Sequence, residues 1–346
     1  MPTAHPLTKR RLRREVSANR SGRLVGMQAI PVLREQDYFV TDQRLDGDAP
    51  KQLIKVYQYT PNGRIRRSQP RTWVPYIAKS AQKWYPHESV IEYFINRAGQ
   101  ELGLRMNEVD LLRINGQVRF LSKFFLAKGE MLIHGAEICG DYLGDRSFVA
   151  EIANDKREAR DLLTFSFVRE AMHTVFPEHA PTLMDDLVKM LIFDALLGNN
   201  DRHFYNWAVI RPVRRNAGPP RLAPIYDSAR GMCWNYRESR INEWARMLAG
   251  MERYPAYNKY LKGASPRFSL ETDKGVNYFD FIRHLCLQEE RYLDFAKTLA
   301  AAGMEIKVRQ LLVTEFGNLL DPERKFVMDC MIQDRFASVR ESICKR

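Results

Sequence analysis

The sequence predicts an α+β fold with two lobes, of which the first is rich in β-strands and the second is mainly helical. Short segments with alternating apolar residues, such as 53–59 and 73–79, occur in the first part of the chain. From about residue 128 onwards, apolar residues instead recur at helical spacing over longer segments. A chain of 346 residues is long enough for two domains or for one two-lobed domain. We therefore expect a tail over residues 1–23, a first lobe over 24–128 and a second lobe over 129–346.

The first lobe is expected to combine several strands with one helix. Segments 53–59 and 73–79 have the alternation of strands, and Pro75 indicates an edge strand or a bulge. Apolar residues fall on one helical face over residues 88–102, which predicts a helix there. A hairpin is expected over 109–114 and 118–126, because Asn115-Gly116 is a strong turn signal between them.

The second lobe is expected to contain long helices interrupted by one short hairpin. Helical spacing of apolar residues covers 157–176, 181–197, 278–302 and 324–343. Gly198 is a natural stop for the second of these helices. The hairpin is predicted over 207–210 and 221–225, and residues 228–276 have the composition of a long functional loop with short helices.

Composition excludes several classes of protein. No run of about 18 apolar residues occurs, so no membrane span is expected, and the N-terminus lacks the apolar core of a secretory signal. Five scattered cysteines without a CxxC motif argue against a disulfide framework or a zinc site. We therefore expect a cytoplasmic protein, although a secreted effector remains an open alternative.

The positive charge is concentrated at the N-terminus. Residues 1–23 contain seven basic residues and one glutamate, and so hold half of the net charge of +12. We interpret this tail as a poorly ordered, solvated basic arm. A second hypothesis is that residues 9–23 contact nucleic acid or an acidic surface, and a transit peptide is a third.

The polar loop after Gly198 has the side chains that phosphoryl transfer requires. Asp201 lies five residues before Asn206, and Asp227 follows the predicted hairpin. One carboxylate in such a loop can orient a hydroxyl, and an amide oxygen and a second carboxylate can hold magnesium on a triphosphate. We therefore assign Asp201 to the hydroxyl nucleophile, and Asn206 and Asp227 to Mg²⁺.

Two other side chains of this loop each have two alternative roles. His203 is a candidate catalytic residue that would contact Asp227 or a phosphate oxygen, or else it braces the loop backbone. Arg202 either neutralises phosphate charge or, as we favour, pairs with a nearby carboxylate.

The order of these residues resembles a known family. Residues 198–207, Gly-Asn-Asn-Asp-Arg-His-Phe-Tyr-Asn-Trp, followed by 222–227, Leu-Ala-Pro-Ile-Tyr-Asp, resemble the catalytic core of the HipA-like protein kinases. The phosphoinositide 3/4-kinases carry a similar D-R-H-x-x-N. The resemblance covers about residues 45–235 and implies a bilobal protein-kinase-like fold that uses ATP and Mg²⁺.

The resemblance also assigns residues upstream of the loop. It implies that Lys79 reaches the ATP phosphates and that Glu92 is its ion-pair partner, with Glu88, one helical turn earlier, as a rival. It further implies that backbone groups around Lys123, Phe124 and Phe125 bind adenine.

The sequence departs from the family in three places. The extra N-terminal subdomain of longer HipA toxins is expected to be missing, and with it their antitoxin contacts. The best phosphate-loop candidate, residues 45–51, contains one glycine and no Ser or Thr. Ser228 follows Asp227, where eukaryotic protein kinases have Phe-Gly.

Three functional hypotheses follow. The first is an ATP- and Mg²⁺-dependent kinase whose substrate is a protein with a serine or threonine acceptor. The second is a phosphoinositide or small-molecule kinase, because the loop motif does not separate these substrates. The third is a non-catalytic module that binds a nucleotide, or nucleic acid through the basic tail. The sequence leaves the acceptor unidentified.

Overall fold

The computed structural model describes residues 11–43, 51–59, 64–214, 218–250 and 254–345. Apart from Lys51, the phosphate-loop candidate at 45–51 lies outside these ranges. The described strands are β1 (Asn19–Arg20), β2 (Tyr38–Val40), β3 (Lys51–Val56), β4 (Val74–Ser80), β5 (Trp84–Tyr85), β6 (Val109–Ile114), β7 (Gln117–Lys123), β8 (Glu130–His134), β9 (Ala208–Pro212) and β10 (Arg221–Leu222). The described helices are α1 (His87–Glu101), α2 (Gly135–Leu143), α3 (Arg146–Asn154), α4 (Lys156–Leu162), α5 (Phe165–Val175), α6 (Ala180–Leu197), α7 (Glu238–Ala249), α8 (Pro255–Gly263), α9 (Tyr278–Gln288), α10 (Glu290–Leu299), α11 (Ala302–Thr314) and α12 (Pro322–Cys344).

The β-rich lobe is built on an antiparallel sheet in the order β2-β3-β4-β7-β6. The predicted α+β, two-lobed fold is confirmed. The hairpin turn is confirmed as well, because Asn115 and Gly116 have φ angles of 50° and 71°, as the tight turn between β6 and β7 requires.

The expectation that Pro75 marks an edge strand or a bulge is wrong, because β4 is the central strand. Pro75 is the second residue of β4 and precedes Tyr76, where pairing with β7 begins. A proline near the start of a strand removes little from the hydrogen-bond ladder, so a central strand can tolerate it.

Helix α1 joins the two lobes through a continuous core. Its fully buried side chains Val90, Ile91, Phe94 and Ile95 belong to the same apolar cluster as the helices of the second lobe. Phe94 meets Phe316 edge to face, with ring centroids 5.3 Å apart. The helix that carries Glu92 is therefore fixed against both lobes.

The central helix of the second lobe is α6, which is buried along most of its length. It ends at Gly198, whose φ of 70° is the left-handed conformation that a glycine stop provides. Strands β8, β9 and β10 form a small antiparallel sheet beside the loop that follows α6. The predicted hairpin in this lobe is thus present, with β8 as an additional strand.

Two segments predicted as single helices are each divided in two. Residues 157–176 form α4 and α5, because the Thr164 side chain accepts a hydrogen bond from Phe167 N–H and starts a new helix. Residues 278–302 form α9 and α10, with a break at Glu289. Apolar spacing continues across such short turns, since both helices face the same core, and so it does not reveal the break.

The expectation of a poorly ordered tail is wrong for residues 11–23. Leu12 is fully buried, and β1 pairs in parallel with β5. The same segment reaches the second lobe, where the backbone N–H of Arg23 donates to Glu238 at 2.6 Å. The basic charge of this segment predicted that it is solvated. In the structure it is instead held by the pairing of β1 with β5 and by the buried Leu12 side chain. Contact of residues 9–23 with nucleic acid or an acidic partner stays a prediction.

Within the described ranges, none of the helices has both the length and the apolar character needed to cross a membrane.

Candidate active site

The structure brings Lys79, Glu92 and Asp227 together. The Nζ atom of Lys79 lies 2.8 Å from Glu92 Oε1 and 2.8 Å from Asp227 Oδ1. Lys79 comes from the central strand β4, Glu92 from the middle of α1, and Asp227 from the loop after β10. These elements are far apart in the chain, so only the tertiary fold creates this triad.

Glu88, the alternative partner for Lys79, binds backbone groups instead. Its Oε2 accepts hydrogen bonds from the backbone N–H groups of Lys83 and Trp84 at 2.9 and 3.1 Å. Glu88 therefore braces the turn between β4 and β5, while Glu92, one helical turn later, faces Lys79.

Burial and mutual attraction set the ionisation of the triad. Burial raises the pKa of Glu92 to about 7, against the opposing effect of Lys79. Burial acts in the same direction on Asp227, but Lys79, Lys51 and His203 outweigh it and lower the pKa of that carboxyl to about 2. The two carboxylates in turn raise the pKa of Lys79 despite its burial. At neutral pH the lysine is therefore a cation and Asp227 an anion.

Asp201 is nearly buried and faces two arginines that the sequence did not indicate. Its Oδ1 lies 2.9 Å from Arg267 Nη2, and its Oδ2 lies 2.9 Å from Arg230 Nε. Its backbone carbonyl accepts a hydrogen bond from Asn206 Nδ2 at 2.8 Å. That bond ties the two loop residues together and leaves the amide oxygen of Asn206 as the group with which it can bind a cation.

Arg202 is a fully buried support for the loop. It forms a two-point ion pair with Asp194 of α6, at 2.8 and 2.9 Å. It also donates to the carbonyls of Asn206 and Tyr226 and to the hydroxyl of Ser228. The alternative that Arg202 pairs with a carboxylate is therefore correct, and the arginine links the loop before β9 to the loop after β10. Ser228, where eukaryotic protein kinases have Phe-Gly, is part of this support.

The His203 side chain hydrogen-bonds to the backbone of its own loop, two residues further along the chain. Its Nδ1 accepts a hydrogen bond from the Tyr205 N–H at 3.2 Å. Burial lowers the pKa of His203, against the pull of Asp201 and Asp227, which favours the neutral imidazole. The contact supports the bracing role, and the ring also lines the cavity described next.

A cavity of about 670 Å³ lies between the lobes and ends at these residues. This volume is within the range of small-molecule and cofactor sites. One end is mostly apolar, and the other end is polar. The apolar end is lined by Ile77, Phe124, Phe125, Leu126, Leu132 and Tyr226, and the polar end includes Lys79, Glu92, Asp201, His203, Asn206 and Asp227.

The proposed adenine-binding segment reaches the cavity only in part. Phe124 and Phe125 line it, but Lys123 does not. The backbone N–H of Lys123 donates to the Glu108 carbonyl, and its own carbonyl accepts from Asn107. The N–H of Phe124 is likewise bound to the Pro75 carbonyl. The prediction that Lys123 binds the base is therefore wrong, because Lys123 does not line the cavity and both of its backbone groups are already paired.

The polar end has the donor set of a magnesium site that is completed by phosphates. Asp227 supplies a carboxylate and Asn206 an amide oxygen, both of which suit a hard cation. In the part of the chain that the structure describes, no three His, Cys, Asp or Glu side chains cluster to hold a metal on their own. Mg²⁺ is commonly held by one or two carboxylates together with substrate phosphates, so the residues present fit it.

Comparisons with known proteins identify the family of this chain. A family model described as "HipA-like C-terminal domain" matches residues 44–302, which is more than half of the chain. The serine/threonine-protein kinase CtkA of Helicobacter pylori strain J99 is 25% identical over 202 residues, or 57% of this chain. That match spans 55% of CtkA, so about half of the length of the curated relative is covered.

The solved structure of CtkA shows the same fold. The crystal structure of the H. pylori proinflammatory kinase CtkA has a TM-score of 0.63 at 16% identity, and the match covers 84% of this chain and 94% of that one. HipA of Shewanella oneidensis MR-1, solved with HipB and its operator DNA, has a TM-score of 0.48 at 14% identity, with 88% and 68% covered. From the match over residues 44–302, the chain belongs to the HipA-like C-terminal domain family.

Proposed function

We propose that this protein is a serine/threonine protein kinase that transfers the γ-phosphoryl group of ATP to a protein hydroxyl with the help of Mg²⁺. The observation that carries the proposal is the position of Lys79, 2.8 Å from both Glu92 and Asp227. Asp201 and Asn206 line the same end of the same cavity. Membership of the HipA-like family and the similarity to a serine/threonine kinase support it.

Lys79 is the residue that would hold the phosphates of ATP. An ammonium is a compact charge with three donors, and this one points into the polar end of the cavity. Its ion pair with Glu92 fixes its position on β4, so that binding the nucleotide costs little further ordering.

Asp227 and Asn206 would hold the magnesium ion, which neutralises charge on the phosphates as the phosphoryl group moves. Because the pKa of Asp227 is about 2, this carboxylate is ionised over the whole physiological pH range. Lys79 is already bound to Asp227 Oδ1. Asp227 therefore has to bind Lys79 and Mg²⁺ at the same time, or Lys79 has to leave Asp227 when the metal binds.

Asp201 would orient the acceptor hydroxyl and take its proton. Arg202 links the loop to α6 by binding both Asp194 and the Asn206 carbonyl, and this link fixes the position of the Asp201 carboxylate. A positioned general base of this kind is worth about 10²–10⁴ in rate.

The test is transfer of labelled phosphate from Mg-ATP to a generic protein substrate, with mass spectrometry to locate the modified hydroxyl. Asp201→Ala should bind ATP as the unmodified protein does and lose about 10²–10⁴ in kcat. Asp186→Ala, which removes a half-exposed carboxylate of α6 paired with Lys189, is the matched control and should be fully active.

Two outcomes would contradict the proposal. Full activity of Asp201→Ala would show that this carboxylate does not handle the acceptor. Phosphate found on phosphoinositide vesicles offered in parallel, and on no protein, would show that the acceptor is a lipid.

A further inference from the structure

Both oxygens of the carboxylate assigned to the acceptor hydroxyl are already paired with an arginine. Arg267 holds Oδ1 of Asp201 and Arg230 holds Oδ2, each at 2.9 Å. A carboxylate oxygen that pairs with one guanidinium keeps a second lone pair, so a hydroxyl that reaches Asp201, as the proposed function requires, lies beside both arginines. The free structure therefore shows the proposed catalytic aspartate flanked by two cations.

Arg267 is largely shielded from solvent. Its side chain is 15% exposed, and its Nε has no hydrogen-bond partner among the described residues. The next residue, Phe268, is fully buried against Phe204 and Trp207, with ring centroids 5.2 and 5.9 Å away, which anchors the backbone. A largely buried guanidinium without an anion is costly, so Arg267 needs an anion within reach throughout.

Arg230 is the more accessible of the pair. Its side chain is 29% exposed, and its guanidinium carbon lies 5.6 Å from the centre of the Trp234 ring. Both arginines line the same cavity as Asp201, to which they are bound. An anion placed here would lie beside the acceptor hydroxyl.

The surroundings of the two arginines carry further positive charge. Burial lowers the pKa of Lys156, and the neighbouring charges of Arg267 and Arg160 lower it further. Asp155 interacts electrostatically with Arg267, and Asp273 with Arg160. Arg230 and Arg267, however, share the single carboxylate of Asp201 as their direct partner, which leaves them N–H groups for a second anion.

We propose that Arg230 and Arg267 form an anion subsite that recognises an acidic side chain next to the acceptor hydroxyl. Guanidinium groups bind carboxylate and phosphate in a planar, two-point arrangement, as they now bind Asp201. The incoming acid pairs with guanidinium N–H groups that Asp201 does not occupy, and so it holds the neighbouring hydroxyl beside the Asp201 carboxylate. The preferred substrate is a serine or threonine flanked by aspartate, glutamate or a phosphorylated residue. This inference rests on the proposed kinase function.

A set of serine peptides tests the proposal. Each flanking position in turn carries glutamate, phosphoserine or glutamine, and kcat/KM is measured with Mg-ATP. The unmodified protein should prefer at least one acidic peptide over its glutamine counterpart by about tenfold or more, the worth of a charged hydrogen bond. The glutamate and phosphoserine arms show which source of the anion fits better.

Substitutions then locate the preference. Arg267→Gln should abolish it, and Arg267→Glu should shift it towards peptides flanked by lysine. Arg230→Gln is a second variant that also reports on the subsite if Arg267→Gln unfolds. The matched control is Arg309→Gln, which removes a partly exposed arginine paired with Asp329, between α11 and α12, and should keep the preference.

The proposal is overturned if the unmodified protein phosphorylates acidic and neutral peptides equally well. It is also overturned if Arg267→Gln and Arg230→Gln slow all peptides alike or raise the KM for ATP, because the arginines would then serve the γ-phosphate. Failure of the unmodified protein to phosphorylate any hydroxyl would instead refute the proposed function itself.

Discussion

Replacement of Glu92 by glutamine should weaken Mg-ATP binding, because Glu92 is one of the two carboxylates that position Lys79. The substitution keeps the shape of the side chain and removes its charge from a site where Glu92 is 5% exposed. A hydrogen bond between charged groups contributes about 1.5–3 kcal/mol, which corresponds to a loss of about 10- to 150-fold in affinity.

The same substitution should raise the concentration of Mg²⁺ needed for half-maximal binding. Without Glu92, Asp227 is the carboxylate that remains bound to Lys79, at 2.8 Å. The lysine then competes with the metal for Asp227 more strongly than it does in the unmodified protein. A magnesium titration at fixed ATP measures this competition.

The effect should depend on pH with a definite sign. The pKa of Glu92 is about 7, so the carboxylate ionises as the pH rises through neutrality and the pair with Lys79 strengthens. Affinity for Mg-ATP should therefore rise between about pH 6 and pH 8 in the unmodified protein, and Glu92→Gln should lack this rise.

The stability of the free protein should change in the opposite direction. The pKa of folded Glu92 lies above its ordinary value of 4.5, so its contribution to stability is complete below about pH 4.5 and is lost as the pH rises through about 7.

Isothermal titration calorimetry with Mg-ATP provides the assay, and Glu88→Gln is the matched control on the same helix. Glu88 accepts only the backbone N–H groups of Lys83 and Trp84 in this structure, and a glutamine oxygen can accept them as well. Unchanged affinity of Glu92→Gln, or an equal loss in Glu88→Gln, would refute the reasoning.

Three further predictions concern the metal, the buried support and the N-terminal segment. Asp227→Asn should reduce Mg-ATP affinity by about 100-fold in magnesium titrations. Because the pKa of Asp227 is about 2, this carboxylate stays ionised between about pH 5 and pH 8 and should add no pH dependence to metal binding there. Arg202→Lys keeps the positive charge but loses part of the two-point pair with Asp194, and it should destabilise the protein by about 1–3 kcal/mol in denaturant unfolding. A loss well below about 1 kcal/mol would contradict the supporting role. Gly26→Ala should lower the melting temperature, since its Cβ would lie 1.9 Å from the backbone carbonyl oxygen of Asn318, and an unchanged melting temperature would show that this contact is not held in solution.

Local sequence patterns predicted some parts of the fold well and failed at others. The hairpin at Asn115-Gly116 and the end of α6 at Gly198 depend on backbone conformations that the residues themselves favour, so the sequence reveals them. The breaks at Thr164 and Glu289 do not appear in apolar spacing, because the helices on either side face one core. The course of residues 11–23 depends on pairing with β5, which lies more than sixty residues away.

The candidate site shows the same division. Asp201, Asn206 and Asp227 occur in an order that phosphoryl transfer would use, and so the sequence could propose them. Arg230 and Arg267 lie in segments without helical or strand periodicity, and nothing in the sequence connects either of them with Asp201. Their distances of 2.9 Å from its two oxygens exist only in the folded chain.

The sequence by itself predicted the two-lobed α+β fold and proposed candidate residues for the chemistry, because apolar periodicity and residue type are local properties. The tertiary structure decided the contacts between them: Glu92 rather than Glu88 on Lys79, Arg202 beneath the loop rather than at a phosphate, and Lys123 away from the cavity. These contacts depend on which distant segments the core brings side by side. A buried charge also needs a partner of opposite sign, and only the folded chain shows which partner is within reach.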